Sequence, residues 1–510
     1  MALFELLRKI LPKRDRAPKR QSFDELARCF AERLKACDRP AASGDGACVG
    51  VLVTPWVKTA VPFFALECAL ALRDAGCRVR VLWDATDLVG NADNTREIDA
   101  IRSVFDALPQ DVEIVDVAAL PAPENALDDD LAAAIVRENA VWKMRGETSA
   151  QQFIDERPAM RPAVRAHLAK VLALLEQQPL DWVLIPGGIY GVSAAYLAAV
   201  KRLGRQFSVF DSGPGLLLLA HSGIAAHHCD TPVAIELLEA EGNEREIDFS
   251  LSEGQHELER RISGTDEHAS QLAPATGVTQ GDANVLVPLN LRWDASALSR
   301  LRLFDSVEHW LVSLLDWAAR TPEARLCIRQ HPVERHSHAR SQDDIAGLLA
   351  RYAHLGTRIR FVAAAEPVNS YDLMRAAQVV LPFTSSAGVE AAMLGLPVVL
   401  GTHCYYERLP FVSRAGSIEE YFALIGRALA GDLEVSAAAK RSATLTYYFT
   451  QRCAYLRTKF TPVPDDFRAW CATPPAELWA QPELADLREA LLTRRPVPFV
   501  QHKRFFHSAT

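Results

Sequence analysis

The chain has 510 residues, 49 % hydrophobic and 24 % charged, with 56 Lys plus Arg against 64 Asp plus Glu and a formal charge of −8. That composition excludes a disordered, collagenous or disulfide-scaffold protein, and at about 150 residues per domain it accommodates roughly two to four domains. No apolar run reaches the ~18 residues of a spanning helix, and the ten cysteines contain no CxxC pair. Reduced thiols, no zinc site and a cytoplasmic setting are therefore expected.

Residues 1–44 form a basic N-terminal segment. The first twenty residues hold seven basic and two acidic side chains, which is +5 and leaves −13 for the rest. Arg8 and Lys9 break the uncharged core that a secretion signal needs. Leu3, Phe4, Leu6, Leu7, Ile10 and Leu11 beside those charges are compatible with a short helix on an anionic bilayer, and equally with a solvated terminus. The basic and aromatic tail from Phe499 to Phe506 fits either reading.

From Ala47 the pattern turns to strand, helix, strand: CVGVLVTP, then PFFALECALALRDAG closing on Gly76, then CRVRVLWD. A polar stretch (84–130) and a helix-rich region to Gln178 interrupt, and the alternation resumes with DWVLIPGG, VSAAYLAAVKRLG and RQFSVFDSG. This is a first Rossmann-like domain over 45–275, ending in a polar surface helix and a linker near 277–282. A second spans 280–450, with strands in NVLVPLN, ARLCIRQHP, RIRFVAA, QVVLPF and LPVVLG. Residues 451–510 complete the chain as helices that cross back to the first domain. The architecture expected is α/β, two doubly wound domains facing a cleft, with ligand at the strand C-terminal ends.

Three segments carry candidate chemistry. In VVLPFTSSAGVEAAMLG a strand delivers Thr384, Ser385 and Ser386 to a turn before a helix, where hydroxyls and free N–H groups suit a phosphate, although Ser and Thr are also ordinary helix caps. Gly388 follows, and Glu390 one turn in can reach a ribose or face the cap. In RQHP, His331 and Pro332 leave a strand at the same sheet edge, where a histidine can donate to a phosphate oxygen. In FDSGPG, Asp211 and Gly213 end a first-domain strand, so Asp211 is either a base raised by burial or the cap of a Gly-rich turn. Asn290, Asp294 and Thr54-Pro55-Trp56 with Lys58 also face the expected cleft. His221, His227, His228 and Asp230 fit no zinc spacing, and His336 and His338 sit among arginines, so no metal is expected.

Taken together, VPLNLRWD, LFDSVEHW, RQHP, SYDLM and TSSAGVEAAMLGLPVVLGTHCYY resemble the capsule polysaccharide biosynthesis family of bacterial glycosyltransferases, which includes β-Kdo transferases of GT-B fold. The resemblance implies a CMP-sugar donor carrying Kdo or a related acidic sugar, with no other cofactor, and a glycan or lipid-linked acceptor. It implies phosphate binding by His331, Pro332, Ser385 and Ser386, with Glu390 near the nucleotide and Asp211 as base. Peripheral contact with the inner membrane follows from such acceptors, with no nucleic acid among the partners. The family's Gln after Pro-Leu is Asn290 here, and its acidic-Gly motif is reduced to Asp-Ser-Gly. The alternatives are a glycerol-phosphate polymerase using a CDP-activated donor, whose usual Asp before the serines is replaced by Phe383-Thr384, a non-hydrolysing nucleotide-sugar epimerase, which needs several acid/base residues in the cleft where Asp211 is the one named, and a non-catalytic scaffold.

Overall fold

Strand β1 (Cys48–Val53) sends Val49, Val51 and Val53 into one core and Cys48 and Leu52 into another. An all-apolar strand with side-chain period two must be covered by helices on both faces. The computed structural model describes residues 23–36, 46–56, 59–90, 95–121, 123, 129–213, 215–266, 283–337, 339–458 and 467–510. In it β2 (Arg78–Trp83), β3 (Glu113–Asp116), β4 (Trp182–Pro186) and β5 (Gln206–Gly213) extend β1 into a parallel sheet. Strand β6 (Leu216–Ala220) pairs antiparallel with β5. The spatial order places β4 and β1 side by side, with later strands running outward on each flank.

A second sheet is wholly parallel: β7 (Val285–Pro288), β8 (Leu326–Arg329), β9 (Ile359–Val362), β10 (Val379–Val380), β11 (Val398–Leu400) and β12 (Val412–Arg414). Its order is β12-β11-β10-β7-β8-β9, so the winding reverses between β7 and β10. Two Rossmann-like units thus stand in sequence, each with a crevice where its strand order switches direction.

The termini depart from expectation. Helix Phe23–Ala36, read with the detached basic segment, buries Leu26, Ala27, Phe30 and Leu34 in the first domain's core. There Arg33 donates to Glu67 at 3.0 Å, and both are buried. The apolar stripe recurs at helical spacing, and a charge-rich composition around it had concealed it. The tail is also core rather than a surface strip, since Phe499 and His502 are buried. Strand β13 (Leu456–Arg457) joins the first sheet beside β6. Helix Glu244–Ser263, expected on the first domain's surface, instead sends Leu258 into the second domain's core. Its Gly254 lies where a Cβ would stand 2.6 Å from the Thr444 carbonyl. Residues 1–22 and the linker near 277–282 lie outside the described residues, as do Lys58 and His338.

The two domains are joined by reciprocal helix capping. Asp343 of the second domain accepts from the Glu147 N–H at 2.9 Å, at the start of first-domain helix Glu147–Asp155. Glu147 accepts from the Val307 N–H at 3.1 Å, at the start of second-domain helix Val307–Arg320. Buried Arg292 pairs with the partly buried Asp343 at 3.0 Å. Among the described residues no helix is long and apolar enough to cross a membrane.

Candidate active site

The C-terminal ends of β7, β8 and β10 converge on a cavity of about 320 Å³ at the second sheet's switch point. It is lined by Asn290, His331, Pro332, Thr384, Ser385, Ser386 and Glu390, so the residues read from the sequence for nucleotide binding do meet in one place. Asn290 accepts from the Thr384 N–H at 3.2 Å and thereby ties the β7 exit to the serine turn. Ser385 Oγ accepts from the Ala387 N–H at 3.2 Å, while Tyr406 Oη donates to the Ser385 carbonyl at 2.7 Å. Helix Ala387–Met393 has only seven residues, so side-chain donors rather than a long dipole dominate the chemistry here. Gly388 does not line the cavity. A Cβ there would stand 2.5 Å from Tyr406 Oη, so its small size lets the helix approach that tyrosine.

His331 caps the short helix Pro332–Arg335, its Nδ1 accepting from the Val333 N–H at 3.3 Å. An accepting Nδ1 assigns the hydrogen to Nε2 in the neutral ring, which makes that nitrogen a donor. Glu390 is buried. It accepts from Tyr371 Oη at 3.0 Å and from Ser386 Oγ at 3.2 Å. Burial pushes its carboxyl up, opposed by Arg261 and by those two hydrogen bonds.

Sequence reasoning missed several cavity residues. Arg261, from the bridging helix, brings a guanidinium whose charge is favoured by Glu390 and Asp266, the latter at 3.3 Å. Gln451 and Tyr455 arrive from the segment that returns to the first sheet, and His228 from a first-domain loop. Arg329, at the end of β8, donates to the Ala363 carbonyl at 2.6 Å, and its Nε has no partner among the described residues. No local motif marks Arg261, Gln451 and Tyr455, because chain return and domain packing bring them in, whereas Arg329 stands within RQHP and His228 within the histidine segment.

Asp211 does not line the cavity. It lies on β5 in the cleft beside it, accepting from the Ser212 N–H at 2.8 Å. Burial, with Asp294 of the second domain adding to it, pushes its carboxyl up to about 7. Asp294 in turn accepts from Ser296 Oγ at 2.6 Å, and Ser296 is part of the cavity wall. Gly213 has open space around it and no left-handed backbone, so it carries no steric requirement. Near Asp211 the first sheet's own switch point presents Trp56 and Tyr190, with rings edge to face at 5.9 Å, and Trp142 lies 4.5 Å from Tyr190. Gly187, at φ +70°, lies under Trp56, where a Cβ would come within 2.7 Å.

The histidine segment is tied into the fold by hydrogen bonds. His227 pairs with the Ala295 carbonyl at 2.8 Å, and Asp230 accepts from the His221 N–H at 2.7 Å and from Ser222 Oγ at 2.6 Å. His336 is exposed beside Arg335.

Residues 256–416 match the family model described as capsule polysaccharide biosynthesis protein. The resemblance read from the motifs is thus borne out over this segment. That segment holds β7 to β12, Arg261, His331 and the serine turn. Among solved structures, the chain is similar to a β-Kdo 2,4-transferase of KpsC from Thermosulfurimonas dismutans, at 14 % identity over 52 % of this chain and 80 % of that one, with a TM-score of 0.33. The β-Kdo 2,7-transferase of the same protein matches at 15 % identity over 54 % and 79 %, TM-score 0.32. A UDP-GlcNAc 2-epimerase from Methanocaldococcus jannaschii matches at 11 % over 79 % and 99 %, TM-score 0.24. Comparison with curated proteins finds no match.

Proposed function

We propose that this protein is a glycosyltransferase of capsule or other surface polysaccharide synthesis, moving Kdo or a related acidic sugar from a CMP-sugar to a glycan or glycolipid acceptor. The observation that carries the reading is the single cavity in which His331, Ser385, Ser386 and Arg261 face one another. Its volume suits a small nucleotide ligand. Sugar transfer from a nucleotide passes through an oxocarbenium-like state, so the departing phosphate must be stabilised and the acceptor hydroxyl deprotonated. Arg261, the His331 Nε2–H and the Ser385 hydroxyl perform the first task, and Ser386 joins them when its hydroxyl turns from Glu390 to the phosphate. Asp211, with a pKa raised towards the working pH, performs the second from the acceptor side. Trp56 and Tyr190 offer aromatic faces to the acceptor there. Closure of the cleft excludes water from the reacting centre. The basic first twenty residues hold the enzyme at the cytoplasmic face of the inner membrane, next to a lipid-linked acceptor.

The test is thermal-shift binding of CMP, CDP, UMP and UDP to the protein and to His331→Ala and Ser385→Ala. A ligand that binds only the native state raises the melting temperature. A CMP shift abolished by both substitutions is expected. A UDP preference discards the CMP donor, a CDP preference favours glycerol-phosphate transfer, and no shift at all favours the scaffold.

A further inference from the structure

His228 is the first domain's sole contribution to the cavity wall among the described residues, and three features set it apart. Its backbone is left-handed, at φ 50° and ψ 35°, a conformation unfavourable for a residue with a Cβ and concentrated at ligand sites. Its Nδ1 is buried with no hydrogen-bond partner among the described residues, and such orphaned groups are rare in folded proteins. Its ring is nevertheless held firmly. Tyr455 Oη lies 3.3 Å from Nε2, and the rings of Tyr405 and Tyr455 meet it edge to face at 5.4 and 5.5 Å.

The loop that carries it is pinned on both sides. Asp230 fastens the start of the loop through the His221 and Ser222 N–H groups, and His227 reaches across the cleft to Ala295. These anchors hold His228 in a backbone state it would not choose alone. Burial and the neighbouring Arg300 guanidinium keep the imidazole down at about 4, so the ring is neutral at pH 7. With Nε2 against the phenol, Nδ1 is the ring nitrogen that remains for a ligand oxygen, without a competing charge.

We propose that His228, backed by Tyr455, is a ligand-binding residue through which the first domain grips the nucleotide held by the second domain. This rests on the nucleotide reading of the cavity. The strained backbone and the unpartnered nitrogen then follow from positioning the ring for ligand, not for the fold. A residue retained for packing loses stability when replaced, whereas one strained for binding does not.

The test compares wild type with His228→Gly, which accepts the left-handed backbone and removes the ring, and His228→Asn, which tolerates that backbone and keeps a polar side chain. Affinity for the tightest binder among CMP, CDP, UMP and UDP is measured by titration calorimetry, and the ligand-free melting temperature is measured alongside. His228→Gly is expected to bind about tenfold more weakly, the loss of one buried hydrogen bond, while melting no lower than wild type. His228→Asn is expected to fall between them. Tyr455→Phe provides a second variant that leaves the strained backbone in place, with a severalfold loss expected. Affinity within twofold of wild type in His228→Gly, or a lower ligand-free melting temperature with unchanged affinity, overturns the proposal. Failure of wild type to bind any of the four nucleotides overturns the cavity reading and this inference together, so the two failures are distinguishable.

Discussion

Asp211→Asn separates the burial of a carboxylate from its catalytic use. The native carboxyl is pushed from 3.8 up to about 7, chiefly by burial, with Asp294 adding to it and the Ser212 N–H opposing. A folded pKa above the unfolded one means that the folded state binds the proton more tightly. The stabilisation is therefore complete below about 3.8 and is lost as pH rises through about 7. At about 1.4 kcal/mol per pH unit the interval sets an upper bound of about 4 kcal/mol. The side chain is half-buried and retains some hydration, which reduces the working figure to about 2 kcal/mol. Asparagine is a neutral isostere that still accepts from Ser212 and has nothing to ionise. Melting curves of the two proteins should coincide near pH 4. By pH 8 the variant should melt about 4–8 °C higher, the span for a domain of roughly this size, while transfer activity is lost. A separation that is the same at pH 4 and pH 8, or a variant less stable at pH 8, would refute the burial argument.

On the proposed reading, Arg261→Ala should weaken nucleotide binding about tenfold or more by calorimetry, because a charge-assisted donor leaves the cavity, and Arg261→Lys should recover part of it. Gly388→Ala places a methyl 2.5 Å from Tyr406 Oη and 2.9 Å from Pro382 Cγ. It should cost about 1–3 kcal/mol in denaturant unfolding and disturb the serine turn. Asp343→Ala leaves buried Arg292 without its partner and uncaps the helix at Glu147. A loss of about 3–5 kcal/mol is expected, read in scanning calorimetry as the domains unfolding in separate transitions.

Local patterning decided the two sheets. Strands such as CVGVLV and helices such as AGVEAAM announce themselves because their neighbours in sequence are also their neighbours on a strand or helix. The serine turn and His331 were legible for the same reason. Each sits at a strand exit, and the parallel order of β7, β8 and β10 then carries them to one edge. The departures lie where amphipathic helices resemble solvated segments. Phe30 and Arg33, Leu258 and Arg261, and Phe499 and His502 all fall in charge-rich stretches whose buried stripe is clear only once a partner surface exists.

What the sequence determined by itself is therefore the α/β class, the two-domain order, and the strand-exit residues that meet in the second domain's cavity, all properties of short-range spacing. The tertiary structure decided that Asp211 stands beside the cavity and not within it, and that Arg261, His228, Gln451 and Tyr455 complete the wall. Those placements depend on the chain's return to the first sheet and on the docking of one domain against the other. Contacts between residues far apart in sequence leave no periodic trace in it.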